Sequence, residues 1–86
     1  MATVFLTALL RPLAGGASSV QTDGATLRAV LVDLERRHPG LTGRIIDEGV
    51  IRPDVMVAVG ADEVRDLNAP VAPTDEVHIL PAIAGG

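Results

Sequence analysis

Few residues in this sequence are of types that perform chemistry, and spacing separates the candidates. There is no cysteine, which removes thiolate nucleophiles, disulfides and Cys-based metal sites. His38 and His78 are the only histidines, too few and too poorly accompanied to make a metal ligand set. Asp47-Glu48, Asp62-Glu63 and Asp75-Glu76 are adjacent carboxylates in or beside turns. Neighbours along an extended chain point to opposite sides, so none of these pairs makes an acid–base couple by itself. Gly15-Gly16 lacks the Gly-Lys-Ser/Thr ending of a phosphate loop. What remains is main chain: Gly85-Gly86, the last residues of the sequence. A closing pair of glycines alone signals no more than fraying. It gains meaning from its setting: a small domain, a strand ending at Leu80, a short apolar arm, then two residues without side chains.

The body that would carry this end is legible from its periodicities. Thr3–Leu10 is apolar and β-branched, with Val4, Leu6, Ala8 and Leu10 on one face and Thr3, Phe5, Thr7 and Leu9 on the other. Arg11-Pro12 interrupts it, Gly15-Gly16 turns the chain, and Ala17–Thr22 supplies the second strand of a hairpin. Thr26–His38 reads as a helix. Leu27, Val30, Leu31 and Leu34 recur at i, i+3, i+4 and i+7; Thr26 or Asp23 caps it, Asp33 and Arg37 form an i,i+4 pair, and Pro39-Gly40 ends it. A helical turn is expected within Thr42–Asp47, then strands at Asp54–Val59, Val64–Leu67 and Glu76–Leu80, with a turn at Gly60-Ala61-Asp62. Pro70 and Pro73 confine 68–75 to a surface connection, and Pro81 is expected to end the pairing of the last strand. The order β-β-α-β-β-β calls for an α+β fold, with one main helix packed across a small mixed sheet. That is the ubiquitin-like β-grasp arrangement. The expected division is a domain over 1–80 and a flexible C-terminal tail over 81–86.

Composition bounds the partners. Eighty-six residues make one domain that buries only roughly 60–65% of its unfolded surface, with no room for a deep substrate cavity. Apolar residues make up 48% of the chain and Phe5 is its single aromatic, so the core must be aliphatic. Without aromatic platforms, and with a net charge of −4, nucleic acid is not an expected partner. No apolar run approaches the roughly 20 residues of a membrane span, and no basic leader precedes one, so the expected location is the cytoplasm. Every basic residue is arginine: Arg11, Arg28, Arg36, Arg37, Arg44, Arg52 and Arg65. A chain without lysine can be joined to other proteins but cannot carry isopeptide-linked copies of itself. After Val32, five Arg face ten Asp and Glu, a bias that would steer this half toward a basic partner surface.

Asp75-Glu76-Val77-His78-Ile79-Leu80-Pro81-Ala82-Ile83-Ala84-Gly85-Gly86 resembles the terminus of the bacterial sulfur-carrier family. That family includes the small subunit of molybdopterin synthase and the thiazole-biosynthesis sulfur carrier. Leu9-Leu10-Arg11-Pro12 followed by Gly15-Gly16 is similar to the cysteine-biosynthesis carriers of actinobacteria, as are Asp62-Glu63-Val64-Arg65 and Ile79-Leu80-Pro81-Ala82 leading into Ala84-Gly85-Gly86. The resemblance spans the chain and is loose between Gly40 and Pro53. Gly60-Ala61 departs from it, standing where many members have an Asn-containing turn.

The resemblance implies that this protein is a co-substrate and not an enzyme. A ubiquitin-activating-enzyme-like adenylyltransferase, using ATP and magnesium, would convert the Gly86 carboxylate to an acyl-adenylate. A sulfur donor would then displace AMP to leave a thiocarboxylate. The carrier itself would bind no cofactor and no metal. The recipient would be a sulfur-accepting synthase: a cysteine synthase, or an enzyme of the thiosugar or thiazole-synthase type. A JAMM-type metalloprotease is a further candidate partner, releasing the product. Gly85 and Gly86, lacking Cβ atoms, suit a tail that threads a narrow channel and leaves its acyl carbon open to attack. Candidate contacts for the partner are Phe5 and Thr7 on the sheet's exposed face, Arg11 for a partner carboxylate, and Ile79, Pro81, Ile83 and Ala84 guiding the tail. Three other readings stay open: the small subunit of molybdopterin synthase, a protein modifier joined to target lysines, and a purely structural β-grasp module.

Overall fold

Strict alternation in the strands and a 3.6-residue stripe in the helix assemble one aliphatic core. The computed structural model describes residues 1–82. In chain order the elements are β1 (Ala2–Leu6), β2 (Ser19–Thr22), α1 (Leu27–Arg37), β3 (Ile46–Asp47), β4 (Val50–Ile51), β5 (Val55–Val59), β6 (Asp62–Glu63) and β7 (Glu76–Pro81). Short 3-10 turns occupy Arg11–Ala14 and Pro39–Leu41. The main sheet has five strands in the order β2-β1-β7-β5-β6. Its centre is a parallel pair, β1 with β7, running from Thr3 opposite Glu76 to Leu6 opposite Ile79. The other pairings in the sheet are antiparallel.

Helix α1 lies across one face of this sheet. Leu27, Val30, Leu31 and Leu34 are fully buried against Val4, Leu6, Val57, Val77 and Ile79, and Leu41 and Ile45 close the core from the following segment. The hydroxyl of Thr26, the N-cap, accepts the N–H of Ala29 at 3.2 Å. The N–H groups of Leu27 and Arg28, which no turn of the helix can use, donate to the carbonyls of Ala69 and Leu67 at 2.9 Å each. Asp33, only 8% exposed, fastens the helix to the end of β2. One carboxylate oxygen accepts the Arg37 Nε at 2.7 Å and the Asp23 N–H at 2.9 Å. The backbone N–H of Asp23 and the Arg37 guanidinium hold the Asp33 carboxyl below its ordinary pKa of 3.8. A helix across one face of a mixed sheet is the β-grasp arrangement that the sequence called for.

Several boundaries differ from the sequence expectation, each for a local reason. β1 ends at Leu6 instead of Leu10, because the Thr7 carbonyl accepts the N–H groups of Leu10 and Arg11 and turns the chain. Ala8 and Leu10 therefore do not extend the inward face of β1, and Leu9 is left 75% exposed. No helical turn forms over 42–47. The 3-10 turn lies upstream at Pro39–Leu41, and β3 pairs antiparallel with β4 as a separate hairpin. Glu48 and Gly49, at φ 53° and 79°, make its two-residue turn, the type I′ geometry that matches strand twist. At Gly40 a Cβ would meet the Leu13 carbonyl oxygen at 2.7 Å, so only glycine lets the two 3-10 turns pack together. β6 forms at Asp62–Glu63, where Ala58 faces Glu63, and not at Val64–Leu67. Leu67 turns into the core instead. β7 continues through Pro81, which pairs with Val55, and the Ala82 N–H donates to the Asp54 carbonyl at 3.0 Å. That bond places Pro81 at a non-hydrogen-bonded ladder position, so its missing N–H removes no bond to β5. Pro81 and Ala82, assigned to the tail by sequence, thus belong to the body.

Two stability outcomes follow from these contacts. Leu31→Ala, which empties a fully buried site, should lower the unfolding free energy by about 2–5 kcal/mol in urea titrations. Asp33 has a depressed folded-state pKa, so its contribution is present above the unfolded pKa and is lost as pH falls through the folded one. The stability gap between wild type and Asp33→Asn should therefore be full at neutral pH. It should close as the pH is lowered below about 4, read as converging thermal midpoints.

Candidate functional site

The end of β7 is the last part of the described body before the glycines, so its surroundings are the place to look for a contact surface. Along β7 the side chains alternate. Val77 and Ile79 are fully buried, while Glu76, His78 and Leu80 face the side of the sheet that α1 leaves open. On that face Phe5 of β1 stands opposite His78 in register, and the two rings stack with centroids 4.8 Å apart and planes 12° from parallel. Met56 and Ala58 of β5 pair with Leu80 and His78, which carries the patch across a third strand. His78 Nε2 lies 3.4 Å from the Glu76 carboxylate, an ion pair only when the imidazole is protonated. The open face is thus a shallow apolar strip with one titratable ring in its middle.

Arg11 and Thr7 flank the strip. Thr7 is half-buried just beyond β1. Exposed Arg11 donates its Nε to the Leu6 carbonyl at 3.1 Å. Anchoring at Nε leaves its terminal N–H groups without a hydrogen-bond acceptor among the described residues, a preset fork for a carboxylate. Two concavities meet at Thr7 and Leu80. One, of about 300 Å³, includes Phe5, Arg11 and His78. The other, of about 240 Å³, lies on the far side and includes Leu9, Leu10, Leu13, Arg44 and Pro81.

The structure sorts the residues expected from sequence. Phe5, Thr7 and Arg11 lie together beside the end of β7, and exposed Pro81 stands at that end. Ile79 lines the same concavity as Phe5, Thr7 and Arg11, but its side chain has no exposed surface. Expected to guide the tail with Pro81 and Ile83 as an apolar arm, it is instead fully buried in the core. A partner cannot touch it without opening the sheet. Ile83, Ala84, Gly85 and Gly86 lie outside the described residues. Sequence reasoning missed His78, Leu80 and Met56 as members of the open face. The signal was available: burying Val77 and Ile79 obliges Glu76, His78 and Leu80 to face out. It also missed Leu9 and Arg44, whose positions depend on where β1 stops.

The acidic bias of the C-terminal half resolves spatially as well. Asp62, Glu63, Asp75 and Glu76 gather where β7 begins, with the Gly60 N–H bonded to the Glu76 carbonyl at 2.8 Å. They sit at the opposite end of the sheet from Ala82. Among the described residues, no group of three His, Asp or Glu side chains is placed to hold a metal ion. What the site offers is recognition: an apolar strip, a preset arginine and a strand that ends beside both.

Comparison with known proteins agrees with this geometry. The ThiS family profile matches residues 4–86. The sulfur carrier protein CysO of Mycobacterium tuberculosis is 40% identical over 90 residues, covering 98% of this chain and 97% of that protein. Small archaeal modifier protein 3 of Haloferax volcanii is 37% identical over 67 residues, covering 74% of this chain and 73% of its own length. The crystal structure of the BexX/CysO complex of Amycolatopsis orientalis contains a chain that superposes with a TM-score of 0.92 at 37% identity, covering 100% of both chains. With a family match over nearly its whole length and this superposition, the chain belongs to the ThiS family and its body is a ubiquitin-like β-grasp domain.

Proposed function

We propose that this protein is a sulfur carrier whose reacting group is the carboxylate of Gly86. The observation that carries the reading is the 40% identity, over 98% of the chain, to a protein named sulfur carrier protein CysO. The chemistry is that of an acid made reactive by another enzyme. A carboxylate is a poor electrophile. When its oxygen attacks the α-phosphorus of ATP and pyrophosphate departs, the acyl carbon acquires AMP as a leaving group. Hydrosulfide then adds to that carbon, AMP leaves, and the terminus is a thiocarboxylate whose sulfur is nucleophilic. ATP and magnesium belong to the adenylyltransferase. The carrier contributes the docking body and Gly85-Gly86.

The open face supports the docking half of this reading. Phe5, His78 and Leu80 form an apolar strip, with Arg11 beside it to meet a partner carboxylate. A chain similar along its whole length occurs in the crystal structure of a complex with BexX, which supports a body that docks on a partner protein. The recipient we favour is a cysteine synthase, with a thiosugar- or thiazole-forming synthase next and a JAMM-type metalloprotease as the releasing enzyme. A second reading, a modifier joined to lysines of target proteins, is favoured by the likeness to small archaeal modifier protein 3.

Intact-protein mass spectrometry after incubation with the adenylyltransferase, ATP, magnesium and sulfide separates these. The carrier reading expects a gain equal to exchanging one oxygen for one sulfur, confined to the terminal peptide. Gly86→Val, which puts a β-branched side chain beside the acyl carbon, should abolish that gain and leave the thermal midpoint of the body unchanged. Sulfur loading of Gly86→Val at the wild-type rate would contradict the reading. Higher-mass conjugates in cell extracts that vanish without Gly86 would favour the modifier instead.

A further inference from the structure

The second concavity is not part of the open face, and its lining is unusual for a chain of net charge −4. Leu9 is its most exposed apolar member, at 75%. Hydrogen bonds hold it out: the Thr7 carbonyl accepts from Leu10 and Arg11, and the Leu10 carbonyl from Leu13. The leucine is therefore fixed in water by its own turn. Leu10 and Leu13 form the floor and pack against the core. The polar rim carries one unbalanced charge. Arg52 gives Nε and Nη2 to Asp54 at 3.0 and 3.2 Å and Nη1 to the Gly43 carbonyl at 2.9 Å, so that pair is neutral within itself. Arg44, exposed on the same rim, has no carboxylate within 4.0 Å among the described residues. Apolar floor, exposed leucine and unpaired arginine together fit a segment that is apolar and carries a carboxylate.

We propose that this groove docks an apolar, carboxylate-bearing loop of the enzyme that adenylates Gly86. The inference rests on the sulfur-carrier reading and names a second contact surface for it. Position argues for that occupant. Pro81 lines the groove, and Ala82 follows it directly. Gly86 stands four residues beyond Ala82, a span of at most about 14 Å when fully extended. An enzyme that reaches the Gly86 carboxylate must bring its surface against the collar around Ala82. The groove is the concavity on the side of that collar away from Phe5 and His78.

The test is steady-state AMP release by the adenylyltransferase, supplied with ATP, magnesium and sulfide, at varied carrier concentration, for wild type, Leu9→Ser and Arg44→Glu. Both substitutions are at exposed positions, and matched thermal midpoints establish that the body is intact. The expected result is a KM for the carrier raised about tenfold by each change with kcat within about twofold. Raised salt should increase the wild-type KM and lower that of Arg44→Glu, whose repulsion from the partner carboxylate it screens. Wild-type KM values in both variants, while wild-type carrier is still adenylated, would overturn the groove and leave the carrier reading standing. No AMP release from wild type would overturn both. A concentration-dependent dimer that Leu9→Ser disrupts would assign the groove to a second copy of this chain and likewise overturn the proposal.

Discussion

The parallel ladder between β1 and β7, four residue pairs at the centre of the sheet, fixes where every other part of this protein can stand. It joins the two ends of the sequence, and its register pairs Val4 with Val77 and Leu6 with Ile79 on the face that α1 covers. The same register forces Phe5 and His78 together on the other face. A one-residue slip would exchange the two sets, exposing aliphatic side chains and burying an imidazole. Because β1 stops at Leu6, β7 outruns it by two residues, and those two bring Pro81 and Ala82 out between the two concavities. The core, the open apolar face and the place of Pro81 and Ala82 are three consequences of one register.

Arginine does structural work that the sequence presents only as a charge count. Arg65 stands where a strand was expected and instead reaches across to the 51–55 segment. Its Nη1 donates to the Val55 carbonyl at 3.2 Å, and its Nη2 to those of Ile51 and Arg52 at 2.9 and 3.2 Å. Those carbonyls run from the end of β4 to the start of β5, where the chain changes sheets. A planar fork with several fixed donors can serve them at once, and a single ammonium could not. Arg52 does the like for Gly43 and Asp54. With these two spent on the fold, Arg11 and Arg44 are the arginines left beside the end of β7 without a carboxylate among the described residues.

The helix was readable because Leu27, Val30, Leu31 and Leu34 leave a stripe that only a 3.6-residue period produces, and Thr26 announces its start. The aliphatic core was readable from composition, and the fold from the order of elements. Strand ends were not. Nothing in Thr7-Ala8-Leu9-Leu10 says that the Thr7 carbonyl will capture two N–H groups, since that competition is settled by Pro12 and the packing of Leu13 on Gly40. Nor does Pro81 show from sequence that its nitrogen falls on the unbonded side of the ladder. Ile79 was misplaced because apolar character alone does not separate a contact for the tail from a core residue; its pairing with Val57 and alternation with exposed Leu80 decide that. Gly85 and Gly86, the residues proposed for the chemistry, lie outside the described residues; the sequence singled them out by their setting and by family resemblance.

On the sulfur-carrier proposal the chain divides into a body that folds and an end that reacts, with the seam just after Ala82. A protein cut after Ala82, compared with the full chain in urea unfolding and in adenylyltransferase-dependent sulfur loading, tests that division directly. The account predicts the same midpoint and slope for both proteins, and complete loss of loading in the shorter one. A marked fall in the midpoint, or loading that survives the cut, would contradict it.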